Sequence, residues 1–262
     1  MIQPGTVPST NTLQELTMAA HFRAPLPLGV IDLAAWTTAF HDYPIIQQLP
    51  SLPPANLTPT SGLMPQVAVE FGMGRISLPR MLVRSPDGRY AIQLQGDRLA
   101  FGWSRIEPVG APASYPGFDS MMKKWTEISS RFEAWTEGRF HRHPQHGLAE
   151  VSYANAAPLD RDGKRKRISE IFKFCQSDGR ALTMFNMNWV ECVYPDQGTS
   201  PPKGSVVASV GLAELPPAVM VLAFNFAGIA TIADGQPTEH IMRDIHAKIR
   251  EIYQSAVIPD GG

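Results

Sequence analysis

The spacing of apolar residues changes within residues 80–135, and this change constrains the fold more than any other feature. Before it, three short runs alternate apolar and polar residues. The first precedes residue 86, the second has Tyr90, Ile92 and Leu94 on one face, and the third has Leu99, Phe101 and Trp103 on one face. This two-residue period is typical of half-buried strands. Pro-Asp-Gly at 86–88 and Gly-Asp at 96–97 separate the runs with turn residues. The segment therefore predicts an antiparallel meander of three strands.

After the meander, the apolar spacing becomes three and four residues, the period of one helix face. The stripe comprises Phe118, Met121, Met122, Trp125, Ile128, Phe132 and Trp135. Pro116 suits the start of such a helix, since proline has no backbone N–H to satisfy there. We expect the helix to pack on the apolar face of the meander, with Trp125 buried at the centre of the contact.

The order of the predicted elements divides the chain into two halves. Residues 1–17 read as a loose tail, 18–136 as the first α+β half and 148–262 as the second, and the halves meet near 137–147. In the first half a strand at 18–24 precedes a short helix opened by Asp32. The stretch 47–66 holds five prolines and is predicted to be irregular, and a strand is predicted at 67–71 before the meander.

The second half repeats this order of elements. Strands are predicted at 148–156, 182–194, 205–213 and 218–232, with a short helix at 168–175. Thr238 is a suitable cap for a final helix whose apolar stripe is Ile241, Ile245, Ile249 and Ile252. We therefore predict an α+β fold made of a duplicated strand-helix-meander-helix unit, with antiparallel sheets covered on one face by helices and both halves in one domain.

Composition indicates the class of protein and excludes some partners. Of the 262 residues, 44% are hydrophobic and 18% charged, which favours a packed core. The formal net charge of −1 gives no electrostatic support for binding nucleic acid or an anionic membrane. Cys175 and Cys192 are too few for a disulfide scaffold and are expected to be free thiols. No signal peptide and no membrane span are predicted, so a cytoplasmic location is expected.

Several stretches resemble a sporadically distributed family of uncharacterised bacterial proteins. They are residues 22–44; residues 97–135 with YPGF ahead of the long helix; EVSYANAAPL at 150–159; and Ile245-His246 followed by Tyr253. The family tends to carry an Arg shortly before the Tyr of the third stretch, and this chain does not. The resemblance implies a bacterial, accessory role and no catalytic residues.

The densest cluster of candidate metal ligands lies between the halves, at His141, His143 and His146. Alternate residues of an extended segment point the same way, so these imidazoles could share a metal ion. Closed metal sites need three or four ligands, and no Asp, Glu or Cys is adjacent in sequence. The alternative interpretation is a polar loop with solvated histidines.

Other polar residues have structural interpretations. Asn155 is expected to satisfy backbone groups near a turn, and His246 to be a hydrogen-bonded residue at the edge of the final helix. Glu150 and Glu191 fall in predicted strands with no spacing that pairs them. The charged run 160–167 is interpreted as a solvated turn.

The sequence contains no nucleophile elbow, phosphate-binding glycine loop or Cys-x-x-Cys motif. We therefore favour a non-enzymatic accessory or interaction protein with a protein partner and no cofactor; a homodimer is compatible with the apolar stripes. One alternative is a metal-binding protein or metal-dependent enzyme using the histidine cluster. Another is a binder of a small apolar ligand, which would have a large pocket lined by Met and aromatic residues.

Overall fold

The computed structural model describes residues 12–55, 78–107, 114–158, 160–161, 164–165, 186–192, 204–215 and 219–257. The helices are α1 (Val30–Ala39), α2 (Phe118–Phe140) and α3 (Thr238–Ala256). The strands of the first half are β1 (Leu13–Phe22), β2 (Ile45–Leu49), β3 (Arg80–Arg84), β4 (Tyr90–Gln95) and β5 (Arg98–Ser104). Those that follow α2 are β6 (His146–Pro158), β7 (Asp160–Arg161), β8 (Lys164–Arg165), β9 (Asn186–Cys192), β10 (Gly204–Leu215) and β11 (Val219–Thr231).

Nine of these strands form one sheet in the order β2-β3-β4-β5-β1-β6-β11-β10-β9. Every pairing in it is antiparallel. The first strand of the chain lies at the centre, where Leu16 of β1 is opposite Trp103 of β5 and Tyr153 of β6. β7 and β8 form a separate two-stranded hairpin. The predicted antiparallel α+β fold is therefore confirmed.

The predicted meander has the expected register. Ile92 of β4 pairs with Phe101 of β5, and Leu94 pairs with Leu99, so the apolar positions of both strands share one face. All four side chains are fully buried. Trp125 of α2 is fully buried as well and belongs to the same core cluster. The prediction that the long helix buries Trp125 is confirmed.

The helices pack against one face of the sheet. Met18 is opposite Phe101 and Val151, and Val151 is in turn opposite Gly228, so these four residues lie in a row on the same face. α2 contacts β5, and α3 contacts β6, β10 and β11. Buried residues of both helices join the row in a single hydrophobic core. Among the described residues, no helix combines the length and the apolar character needed to cross a membrane.

Two boundaries predicted from sequence were wrong. Residues 13–17 were assigned to a loose tail, but they form the first half of β1, where Leu13 and Leu16 are buried. Residues 47–49 were assigned to an irregular stretch, but they belong to β2, in which Gln47 pairs with Leu82. In both cases pairing with strands distant in sequence outweighs the local polar composition. The predicted strand at 67–71 and helix at 168–175 lie outside the described residues.

Candidate functional site

A cleft of about 710 Å³ lies where α2 and α3 meet over the sheet. The residues before α2 and its first turn form one wall, and the cleft-facing side of α3 forms the other. The floor comes from β1, β6 and β11, the strands at the centre of the sheet. The cleft is therefore built from both halves of the chain.

Strand register places the residues of the floor. Tyr153 of β6 is opposite Phe226 of β11, and Asn155 of β6 is opposite Leu13 of β1, so all four point to the helix-covered face. The buried Asn155 donates from Nδ2 to the backbone oxygen of Phe224, 3.3 Å away. The expected role of Asn155 in satisfying the backbone is thus found, although its partner lies across the sheet and not in a turn.

His246 of α3 has the most specific contacts in the cleft. Its Nδ1 and the hydroxyl oxygen of Tyr153 are 2.6 Å apart and share a hydrogen bond. Its ring is stacked on Phe118 of α2, with the ring centroids 3.8 Å apart and the planes 9° from parallel. The prediction that His246 is hydrogen-bonded is confirmed. This side chain joins the sheet, α2 and α3 at one point.

The surroundings of His246 keep its imidazole neutral. Burial, followed by the nearby charges of Arg250 and Arg243, lowers its pKa to about 4, while the Asp119 carboxylate acts in the opposite direction. At pH 7 the ring therefore carries one proton and can both donate and accept a hydrogen bond. A neutral ring is also compatible with the two guanidinium groups on the same helix.

Two tyrosines beside the imidazole are held in their protonated form. Burial raises the pKa of Tyr153 well above its ordinary value, and it also raises the pKa of Tyr115. The nearby Tyr153 hydroxyl lowers the pKa of Tyr115 in part. The two hydroxyl groups do not meet hydrogen-bond geometry, so the buried Tyr115 hydroxyl has no partner among the described residues.

Among the residues that the structure describes, three charged ones line the cleft. They are Arg243 and Arg250 of α3 and Asp119 of α2. A guanidinium nitrogen of Arg243 lies 2.6 Å from a carboxylate oxygen of Asp119, which links the two walls. The other walls of the cleft are mostly aromatic and aliphatic.

The structure does not bring the three predicted metal ligands together. His141 ends α2 in a left-handed conformation with φ of 54°. The exposed His143 has its Nε2 3.5 Å from a Glu137 carboxylate oxygen, whereas the Nδ1 of His146 is 2.8 Å from the Thr238 hydroxyl. Within the described part of the chain, no group of three or more His, Cys, Asp or Glu side chains is placed to hold a metal ion.

The other charged candidates lie away from the cleft. Glu150 has a carboxylate oxygen 2.9 Å from Nε2 of His21, and both residues are on the opposite face of the sheet. For Glu191 and the charged run, only backbone positions are described: Glu191 lies in β9, and parts of the run form β7 and β8. Glu150 therefore does not contribute to the cleft.

Three of the stretches quoted for the family resemblance meet at this cleft. YPGF at 115–118, Tyr153 with Asn155, and His246 with Tyr253 all line it, although they are far apart in the sequence. Sequence reasoning considered Asn155 and His246 separately and did not select Tyr115, Arg243 or Arg250. The signal that could have found the site was the presence of aromatic and polar residues together in each of the three stretches.

No protein-family model matches the chain, and comparison with curated proteins gives no significant match.

Proposed function

We propose that this protein is a non-enzymatic accessory protein that binds a small, largely apolar ligand in the cleft between α2 and α3. The volume of the cleft is the observation that carries the proposal. At about 710 Å³ it falls in the range of roughly 300–1,000 Å³ typical of small-molecule sites. Its walls combine apolar and aromatic side chains with a few polar groups that face one another, as such sites do.

The state of the polar groups supports recognition over catalysis. Tyr153 and His246 are hydrogen-bonded to each other, and burial keeps the phenol protonated and the imidazole neutral. A nucleophile or general base works best with a pKa near the working pH. Here burial moves the pKa values of Tyr153 and His246 away from neutrality in opposite directions, so both groups stay uncharged. They are suited to orienting a ligand by hydrogen bonds.

We also propose that the two halves are a duplicated unit. The order of strands supports this, because it reads β1-β5-β4-β3 outward from the centre in one direction and β6-β11-β10-β9 in the other. A long helix follows β5 in the first half and β11 in the second. A cleft at the junction then combines equivalent helices of the two units, and an accessory role in a bacterial cytoplasm, with a protein partner, remains part of the proposal.

A pair of tryptophan substitutions on α2 tests the binding proposal. Ser120 is exposed and lines the cleft, whereas Ser130 is exposed on the same helix and does not line it. We expect Ser120→Trp to fill the cleft without disturbing the core, and Ser130→Trp to serve as the matched control. Binding is measured by saturation-transfer NMR with naphthalene, indole and C8–C12 alkyl compounds.

The parent and the Ser130→Trp variant are expected to bind members of this set, and the Ser120→Trp variant to lose that binding. Equal binding by both variants would place the ligand elsewhere. Absence of binding by the parent to every compound would argue against a small-ligand function.

A further inference from the structure

The cleft offers a ligand a fixed polar atom, Nε2 of His246, and the inference drawn from it rests on the proposed binding function. We propose that the ligand is an uncharged carbonyl compound with an apolar body, whose carbonyl oxygen accepts a hydrogen bond from Nε2 of His246. This class of ligand follows from the way the imidazole is held, the nitrogen that carries its proton and the engagement of the charged residues nearby.

The imidazole of His246 is held on two sides. Its ring lies parallel to that of Phe118 with the centroids 3.8 Å apart, and its Nδ1 is hydrogen-bonded to the Tyr153 hydroxyl in the floor of the cleft. The two nitrogens of an imidazole point in different directions, so Nε2 is directed away from Tyr153. It has no hydrogen-bond partner among the described residues and, unlike Nε2 of His146, is not sealed inside the protein. Since the half-buried side chain lines the cleft, this atom is placed to meet a ligand.

The distance between His246 and Tyr153 indicates which nitrogen carries the proton. The separation of 2.6 Å is shorter than the roughly 2.7–3.2 Å usual when a nitrogen donates to an oxygen, and hydroxyl donors make the shorter hydrogen bonds. Burial raises the pKa of Tyr153, so its phenol keeps the hydrogen that Nδ1 accepts. A neutral imidazole that accepts at Nδ1 has its proton on Nε2. His246 therefore donates from Nε2, and the complementary ligand group is an acceptor.

The charged residues of the cleft favour a neutral acceptor over a charged one. A guanidinium nitrogen of Arg243 lies 2.6 Å from a carboxylate oxygen of Asp119, and Arg250 also has an interaction within the protein. Among the described lining residues, a charged ligand group would find no unpaired ionic partner to offset the cost of its lost hydration. A carbonyl oxygen is a strong uncharged acceptor and needs only the hydrogen bond from His246. The aromatic and aliphatic walls suit the apolar body.

The first test compares compounds that share an apolar body and differ in their polar group. The affinities of 2-acetylnaphthalene, 2-naphthoate and 2-naphthylmethylamine for the parent protein are measured by isothermal titration calorimetry at pH 7. They present a neutral acceptor, an anion and a cation. We expect the ketone to bind at least about tenfold more tightly than either charged compound, because each charge loses its hydration without gaining an ionic partner.

The second test removes the donor. His246→Asn places an amide where Nδ1 lies, so Tyr153 keeps a partner, but the shorter side chain has no atom at the position of Nε2. We expect its affinity for 2-acetylnaphthalene to fall roughly fivefold, the usual contribution of one hydrogen bond. Its affinity for 2-ethylnaphthalene, which has no acceptor, should stay unchanged. His240→Asn is the matched control, because His240 is exposed on the same helix and does not line the cleft.

The position of the proton is measured directly in the parent protein, so this measurement does not depend on how a variant folds. Long-range ¹H–¹⁵N NMR at pH 7 should show the proton of His246 on Nε2. Addition of 2-acetylnaphthalene should then shift the Nε2 resonance. A proton on Nδ1 would overturn the inference.

The outcomes separate this inference from the proposed function. If a charged compound binds as tightly as the ketone, or if His246→Asn weakens the ketone and 2-ethylnaphthalene equally, the carbonyl proposal is wrong while the ligand-binding function stands. A loss of ketone affinity in His240→Asn equal to that in His246→Asn would also overturn the carbonyl proposal. If the parent binds neither these naphthalenes nor the alkyl compounds, both proposals are wrong.

Discussion

The two long helices cover the same face of one sheet, but they do so with different kinds of contact. α2 relies on bulk: Trp125 and Phe132 are fully buried, in one core cluster with Phe101 and Trp103 of β5. α3 relies on close approach. A Cβ added to Gly228 of β11 would lie only 2.3 Å from the Cγ2 atom of an isoleucine on α3.

The difference shows that two helices of unlike sequence can pack on the same face of one sheet. Large side chains on both partners fill the layer under α2. Under α3, Gly228 and Ala208 leave room for the isoleucine stripe, while Phe224 and Phe226 of β11 pack against Tyr253 near the end of the helix. The first contact should therefore be sensitive to the loss of atoms, and the second to their addition.

Of the substitutions that test this difference between α2 and α3, Trp125→Ala should lower the free energy of unfolding most. Trp125→Ala empties a fully buried aromatic site, so we expect unfolding to become easier by about 3–5 kcal/mol. That is a large share of the roughly 5–15 kcal/mol that stabilises a domain. Urea denaturation followed by circular dichroism measures the change.

Protein concentration distinguishes a core tryptophan from one at a dimer interface. A core position gives a loss of stability that does not depend on concentration, whereas an interface position shifts a monomer–dimer equilibrium. If Trp125→Ala unfolds at the same urea concentration as the parent, the large side chains of α2 are not what stabilises its contact with the sheet.

Lowering the pH should destabilise the contact between α2 and α3, because His246 becomes protonated. Its pKa of about 4 in the folded protein is below the ordinary 6.5, so the unfolded chain binds more protons between these values. The contribution of neutral His246 to the free energy of unfolding is complete above pH 6.5 and is lost as the pH falls towards 4. The shift corresponds to about 3 kcal/mol.

The matched variant is His246→Gln, which can still hydrogen-bond to Tyr153 but does not titrate. We expect the free energy of unfolding of the parent to fall more steeply than that of the variant between pH 6.5 and 4. His146 is half-buried and its pKa is also lowered by burial, but it is present in both proteins, so its effect cancels in the comparison. Parallel pH profiles would contradict the assignment to His246.

Addition of a single carbon at the α3 contact should have a smaller effect. Gly228→Ala places a methyl group 2.3 Å from Cγ2 of Ile245, so the helix or the side chain must move, at a cost of about 1–3 kcal/mol. Gly138→Ala in α2 is the control, because a Cβ there meets nothing within 4 Å.

Gly138→Ala should stabilise the protein by roughly 0.5–1 kcal/mol, because glycine destabilises a helix relative to alanine. Differential scanning calorimetry of both variants measures the contrast. Destabilisation of similar size at both sites would show that the close approach of α3 is not what limits position 228.

The sequence predicted the parts of the fold whose pattern is local. The alternation of Ile92, Leu94, Leu99 and Phe101, and the stripe around Trp125, specify a meander and a helix because each pattern lies within a short segment. Residues 13–17 carry no such signal. Their place in β1 depends on pairing with strands that lie far along the chain.

The candidate site could not be predicted for a similar reason. Tyr115, Tyr153 and His246 come from three separate segments, and only the strand register and the docking of α3 bring them together. The opposite situation holds for His141, His143 and His146. They are close in sequence, but a helix end, an exposed turn and a strand start give them separate partners.

The central position of β1 has a consequence for how the chain folds during synthesis. β1 leaves the ribosome well before either of its partners, since Leu16 pairs with Trp103 and Tyr153. Contacts this distant in sequence form slowly. Until β6 is made, one edge of β1 has no partner from this sheet, and open strand edges favour association with other chains. We expect nascent chains that stop before residue 146 to be the form most prone to aggregate.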